Sequence, residues 1–177
     1  AGVALAAAVC KAHENVVATA AEDPEKRGMG STIIALQVDG SEADIVWVGD
    51  SRAYCWNGKD LEQLSQDHSH VSELLNDGLI SDTEAATHPQ RHVLTQSIGV
   101  SDKVVLQPGT VSGQLEEGEQ ILLCSDGLTD ELSDANIEQV LRGSASVDSQ
   151  VENLIDAALT AGGRDNVTVV IVGESDA

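Results

Sequence analysis

The sequence has very few aromatic residues: of its 177 residues, none is Phe, two are Trp and one is Tyr. Hydrophobic residues nevertheless make up 41% of the chain. A core must therefore form from aliphatic side chains and alanine. A chain of this length can bury a sizeable core, and we expect residues 1–177 to form a single domain.

Basic residues are also scarce, since 9 Lys and Arg stand against 30 Asp and Glu, giving a formal net charge of −21. This balance argues against nucleic acid and anionic membranes as partners, because both attract basic proteins. No apolar stretch is long enough to cross a bilayer, and the first apolar residues lack the basic flank of a signal peptide. Such a protein also repels phosphorylated substrates, unless cations occupy the binding site.

The three cysteines, Cys10, Cys55 and Cys124, are far apart and form no CxxC pair or zinc spacing. Cys55 and Cys124 fall in strand-like runs, so we expect buried, reduced thiols and a cytoplasmic location. The chain does not begin with Met, which we interpret as the mark of a fragment or a processed product.

Hydrophobic periodicity predicts an α+β protein, with hairpin-connected strands and helices near both ends of the chain. We expect the first helix to turn Val3, Ala6, Cys10 and Val17 inward and to leave His13 on its surface. The predicted helices cover residues 1–21, 70–76, a short stretch after Ser81, a stretch from Ser133 or Asp134 to Leu141, and residues 147–159. The predicted strands cover residues 31–38, 44–49, 52–56, 61–64, 104–111, 120–125 and 167–172.

Three aspartates, Asp50, Asp126 and Asp165, lie beside an end of an apolar run, each with a glycine within two residues. Asp130 follows Asp126 by four residues. Carboxylate oxygens are the ligands that Mg²⁺ and Mn²⁺ prefer, so these aspartates are candidate metal ligands. The alternative is ordinary turn chemistry, in which Gly and Asp simply end a strand.

Other candidate sites are weaker. His68 and His70 lie two residues apart in a polar loop, and His88 and His92 flank a proline, which is a poor pattern for zinc. Arg52 is a candidate phosphate ligand or, alternatively, a partner for local carboxylates. No nucleophile elbow or Walker A loop is present, and no catalytic residue is identifiable.

Five short motifs occur in one order along the chain. Together they resemble the metal-dependent Ser/Thr protein phosphatases of type 2C, with the bacterial single-domain form most similar. The resemblance extends from about Gly28 to Val172. The motifs are Gly30-Ser31-Thr32, Val48-Gly49-Asp50-Ser51-Arg52, Asp67-His68-Ser69, Ser125-Asp126-Gly127-Leu128-Thr129-Asp130 and Gly163-Arg164-Asp165-Asn166-Val167-Thr168.

The resemblance implies a sandwich of two antiparallel sheets with helices on both outer faces. It also implies two or three Mg²⁺ or Mn²⁺ ions. Asp126 would bridge toward the metal pair, Asp165 would ligate one ion, and Asp50 and Asp130 would reach a third, weaker ion. Residues from about 68 to 96 would form a mobile helical flap. Ser31, Thr32, Ser51 and Asn166 would orient the site.

The implied reaction is dephosphorylation of phosphoserine and phosphothreonine proteins by a metal-activated water, with no phosphoenzyme. The implied partners are phosphorylated proteins and a Ser/Thr kinase.

One part of the family pattern has no match in the chain. The family begins with a strand pair that carries a phosphate-binding Arg, and an Asp-Gly then supplies the main bridging carboxylate. We therefore expect an N-terminally incomplete fold. Weak metal binding and unpaired sheet edges should follow. A non-catalytic phosphatase-like binding module, or an inactive fragment, is therefore the alternative function. A third possible function is that of an acidic protein that binds divalent ions without catalysing a reaction.

Overall fold

The computed structural model describes residues 2–100 and 105–173 as a mixed α+β fold with two antiparallel sheets flanked by helices. The α+β prediction is confirmed. The helices are α1 Gly2–Glu22, α2 His70–Asn76, α3 Asp82–Ala86, α4 Asp126–Thr129, α5 Asp134–Gly143 and α6 Val147–Ala161, with a 3-10 turn at Pro24–Lys26. The strands are β1 Ile33–Asp39, β2 Glu42–Val48, β3 Arg52–Trp56, β4 Leu61–Gln63, β5 Gly109–Gln114, β6 Gln120–Cys124 and β7 Val169–Gly173.

The described residues fall into two compact units. The first unit comprises residues 2–38, 44–50, 66–100 and 105–112. The second unit comprises residues 39–43, 51–65 and 113–173. Each unit has its own cluster of buried apolar side chains.

The first unit contains most of a three-stranded sheet in the order β1-β2-β5. The core of this unit is Val9 of α1, Val46 and Val48 of β2, and Ile98. Because β2 is buried over most of its length, it is the central element on which α1 packs. The Trp47 side chain donates a hydrogen bond from Nε1 to the Gln66 carbonyl oxygen at 2.7 Å.

Helix α1 matches its predicted range, but its inward face differs from the predicted one. Val3 is 88% exposed, whereas Val9 and His13 are buried. The His13 prediction was wrong, because its Nδ1 accepts a hydrogen bond from the Gly99 amide at 3.1 Å. A partner 86 residues away gives no local signal, so the helix pattern placed this imidazole on the surface.

Strand β5 starts later than predicted. Residues 105–108 are not in a strand, and Val104 lies outside the described residues. Pro108 has no amide hydrogen for a strand ladder, which explains why pairing begins after it. At Gly109, an added Cβ would lie 2.3 Å from the Trp47 ring, so only glycine lets the two strands approach there.

The helices α2 and α3 fill the predicted flap region of the first unit. The Ser69 hydroxyl caps α2 by accepting from the Ser72 amide. Ser81 and Glu84 form a capping box at the start of α3. Helix α2 has its predicted range, and α3 follows Ser81 as predicted.

The second unit is built on an antiparallel four-stranded sheet in the order β4-β3-β6-β7. The β3–β4 hairpin turns at Asn57, whose Oδ1 accepts from the amides of Lys59 and Asp60. The turn lies between the predicted strands 52–56 and 61–64. The sheet packs against α5 and α6 through a core whose fully buried members include Tyr54, Leu122, Leu128, Ile137 and Leu154.

Both long helices of the second unit begin at serines. Ser133 caps α5, as one of the two predicted residues, and Ser146 caps α6. Cys124 is buried as predicted, Cys55 is only half-buried, and both thiols are reduced. Among the described residues, no helix is long and apolar enough to cross a membrane.

Candidate functional site

Asp126 stands where β6 ends and α4 begins. The preceding residue, Ser125, holds the position that usually caps a helix, but its hydroxyl makes no capping hydrogen bond. The hydroxyl instead donates to the Asn166 carbonyl oxygen at 3.2 Å and accepts from the Thr168 amide at 3.0 Å. The Ser125 amide also donates to the Thr168 carbonyl oxygen at 3.1 Å. The end of β6 is thus tied to the segment that enters β7.

Gly127 brings the two segments into direct contact. It is buried, and a Cβ at this position would lie 2.2 Å from the Asn166 carbonyl oxygen. No real Cβ approaches a backbone oxygen so closely, so any larger residue must displace one segment. The glycine beside Asp126 therefore provides the space that the Asn166 backbone occupies.

Asp130 and Asp165 occupy the same unit as Asp126. The Asp130 amide donates to the Asp126 carbonyl oxygen at 2.8 Å, which closes the short helix α4. The exposed Asp165 accepts a hydrogen bond at Oδ1 from the Asn166 amide at 2.7 Å. Three of the four predicted ligands thus lie on two segments that hydrogen bonds hold together.

An ion pair that the sequence did not reveal strengthens this arrangement. The Arg164 side chain donates to both carboxylate oxygens of Glu131, from Nε at 2.8 Å and from a terminal nitrogen at 3.2 Å. The Arg164 amide also donates to Glu131 at 3.1 Å. These hydrogen bonds hold the pKa of Glu131 below its ordinary value. Glu131 and Arg164 are 33 residues apart, so no local pattern predicts the pair.

Asp50, the fourth predicted ligand, lies in the first unit, at a turn held by different contacts. Gly49 has φ +112, and a Cβ there would lie 2.4 Å from the Thr32 side chain. The Gly49 amide donates to His68 Nδ1 at 3.2 Å, and the His68 amide donates to the Gly49 carbonyl oxygen at 2.9 Å. The His68 ring stacks on Trp47 with centroids 6.2 Å apart.

The half-buried His68 has a lowered pKa, chiefly because burial disfavours its charged form. The neutral ring can accept the Gly49 hydrogen bond, whereas a protonated ring cannot. His68 therefore positions the turn that carries Asp50.

The oxygen donors fit Mg²⁺ or Mn²⁺ in chemical type, but the described residues do not assemble a complete site. Over residues 2–100 and 105–173, no group of three or more His, Cys, Asp or Glu side chains is arranged to hold a metal ion. Asp50, Asp126 and Asp130 each have an interaction partner within the protein. The metal-ligand assignment therefore stays a prediction.

Arg52 is engaged inside the second unit. Its guanidinium donates to the Tyr54 hydroxyl at 3.3 Å, and this hydroxyl donates to Asp134 at 3.0 Å. Burial of Tyr54 raises the pKa of its hydroxyl. The contacts favour the local structural role of Arg52 over the phosphate-binding alternative.

The family model described as "Protein phosphatase 2C" matches residues 3–161. The chain is 40% identical to the protein phosphatase PhpP of Streptococcus pneumoniae, over 88% of the chain and 62% of that relative. It is 36% identical to a serine/threonine phosphatase of Listeria monocytogenes, over 90% of the chain and 63% of that protein.

Solved structures show the same likeness. The serine/threonine phosphatase Stp1 from Staphylococcus aureus matches with a TM-score of 0.86 and 34% identity, over 92% of this chain and 63% of that one. The catalytic domain of the phosphatase PstP, solved with two manganese ions, matches with a TM-score of 0.85 and 32% identity. That match covers 96% of this chain and 70% of that one. The chain thus spans a little over three fifths of the length of the curated relatives.

Proposed function

Because this chain belongs to the protein phosphatase 2C family, we propose that it forms part of a metal-dependent phosphatase. The proposed substrates are phosphoserine and phosphothreonine proteins. The observation that carries the proposal is the interlock of residues 125–127 with 165–168, which fixes two motif aspartates, Asp126 and Asp165, on adjoining segments.

Within this proposal, Asp126, Asp130 and Asp165 are a partial ligand set for Mg²⁺ or Mn²⁺, and Asp50 is a further ligand. The described residues form no group of three ligands on their own, so a full site requires further ligands. A divalent ion supplies the positive charge that a phosphorylated substrate needs in a protein of net charge −21. Ser125, Gly127 and the Glu131–Arg164 pair act as positioning groups, because they hold the segments that bear the aspartates.

We further propose that residues 1–177 act as one domain, in which residues 68–96, with α2 and α3, form a flap beside the substrate. The proposed partners are phosphorylated proteins and a Ser/Thr kinase, in the cytoplasm.

The alternative function is a non-catalytic, phosphatase-like binding module. The observation that favours it is the lack of a three-ligand group among residues 2–100 and 105–173. The two functions differ in one respect that an experiment can measure, namely turnover that depends on a divalent ion.

The test is a calorimetric Mn²⁺ titration of the 177-residue chain and of Asp126→Asn, with p-nitrophenyl phosphate turnover followed in the same samples. We expect Asp126→Asn to abolish the tightest Mn²⁺ binding and any chelator-sensitive turnover. The matched control is Asp156→Asn, which removes the same charge from an exposed position on α6.

Turnover that a chelator abolishes would establish the phosphatase. Mn²⁺ binding without turnover would favour the binding module. Identical Mn²⁺ binding by the unaltered chain and Asp126→Asn would remove the metal assignment.

A further inference from the structure

The second unit has a cleft at the end of its four-stranded sheet opposite Asp126. It lies between the start of β6, the connection from α5 to α6 and the end of β7. Its volume is about 660 Å³, which is within the range of small-molecule sites. Gln120 begins β6 and Asp126 follows its other end, so roughly 15–20 Å of strand separates the cleft from the aspartates. The cleft is therefore a separate feature from the proposed phosphatase site.

Two glutamines line this cleft, and the side-chain oxygen of each has no hydrogen-bond partner within the part of the chain that the structure describes. Gln150 is only 6% exposed, and its buried Oε1 has no hydrogen-bond partner among the described residues. The buried Oε1 of Gln120 likewise has none within residues 2–100 and 105–173. Buried side-chain oxygens in folded proteins normally accept at least one hydrogen bond. Both oxygens therefore have unused acceptor capacity, although they are buried, in side chains of residues that line the cleft.

The hydroxyls that line the cleft are already engaged. The Ser144 hydroxyl donates to the Val140 carbonyl oxygen and accepts from Asn153. Ser146 and Ser149 bond to each other in the capping box of α6. Among the side chains, acceptor capacity remains at the two glutamine oxygens and at the exposed carboxylate of Asp148. All of these groups accept hydrogen bonds.

The electrostatic environment selects among hydrogen-bond donors. None of the described residues that line the cleft is Lys or Arg, and the chain as a whole carries a net charge of −21. A negatively charged protein concentrates cations near its surface. The terminal torsion of a glutamine side chain is broad, so its oxygen can turn toward a bound donor.

We propose that this cleft binds an aliphatic ammonium group, which donates to Gln150 and Gln120 and lies near Asp148. The group comes either from a free polyamine or from a lysine side chain of a peptide, because both present the same head group on an apolar stem. The proposal is independent of phosphatase activity.

The experiment is a calorimetric titration of the 177-residue chain with 1,5-diaminopentane and, separately, with N-acetyl-lysine methylamide. Gln150→Leu and Gln120→Leu should each weaken binding about tenfold, since a hydrogen bond to a charged group is lost. Gln150→Glu should tighten binding, because it adds a carboxylate. The matched control is Gln139→Leu on the exposed face of α5, which should bind like the unaltered chain.

A second measurement does not depend on any variant folding. In the unaltered chain, the side-chain amide resonances of Gln150 and Gln120 should shift on saturation with the diamine and remain in place with 1,5-pentanediol. Binding of the diamine alone identifies a polyamine as the source, and binding of the lysine derivative identifies a peptide. Unshifted glutamine resonances, or equal affinity in Gln150→Leu, would mean that the charged surface alone attracts the amine and would overturn the proposal.

Discussion

The turn that carries Asp50 and the pair of segments that carries Asp126 and Asp165 are held in different ways. In the first unit, one imidazole accepts the Gly49 amide, so the contact depends on the protonation state of His68. In the second unit, three hydrogen bonds join Ser125 to Asn166 and Thr168. An ion pair between Glu131 and Arg164 adds to them. The Asp50 turn is thus positioned by an imidazole, and the second region is positioned by a serine hydroxyl, backbone groups and an ion pair. The two regions should therefore fail under different conditions.

The largest expected effect is at Gly127. Gly127→Ala places a Cβ 2.2 Å from the Asn166 carbonyl oxygen, and the two segments must separate. We expect the free energy of unfolding to fall by about 3 kcal/mol, as for a severe overpacking change. Urea denaturation measures this loss. Gly143→Ala is the control, because no atom lies within 4 Å of the added Cβ there. Equal stability of the two variants would contradict the interlock.

A smaller effect is expected for Ser125→Ala, which removes one hydrogen bond to the Asn166 oxygen and one from the Thr168 amide. The free energy of unfolding should fall by about 1–2 kcal/mol. Amide hydrogen exchange should accelerate at Thr168 more than at Val170, which lies within the β6–β7 ladder. Unchanged exchange at Thr168 would show that the backbone pairing suffices without the hydroxyl.

The smallest expected effect is a pH dependence that the Asp50 turn should show and the Ser125 region should not. The pKa of His68 is lowered in the folded state, so its neutral form stabilises the fold above the unfolded value of 6.5. That contribution is lost as the pH falls from 6.5 through the folded pKa. An NMR titration should show the His68 ring titrating below pH 6.5, with faster exchange of the Gly49 amide in the same range. His68→Gln should lose this pH dependence while exchange at Thr168 stays the same. A titration midpoint of His68 above pH 6.5 would refute the proposal that the neutral ring holds the turn at Gly49.

The sequence predicted features that depend on neighbouring residues. Strand β3, helix α2 and the helix starts at Ser81 and Ser133 agree with the structure because each is determined within a few residues.

Features that depend on distant partners were missed. His13 was assigned to the surface because its partner Gly99 lies 86 residues away. Glu131 and Arg164 are 33 residues apart. Ser125 bonds to Asn166, 41 residues away, instead of capping α4. Helix α4 was missed as well, since its four residues carry no period that a sequence can show. The arrangement of the metal ligands depends on such contacts, so the motifs alone establish which residues are candidates and not how they meet.

Strand β7 affects how readily the protein associates in concentrated solution. It is the last strand in the order β4-β3-β6-β7, its sequence Val169-Val170-Ile171-Val172-Gly173 carries no charge, and Val170 is 46% exposed. Such an edge attracts further strands. The net charge of −21 opposes this attraction by repulsion between molecules, and added salt screens that repulsion. The colloidal stability of the protein should therefore fall as ionic strength rises, even where the fold itself is unaffected.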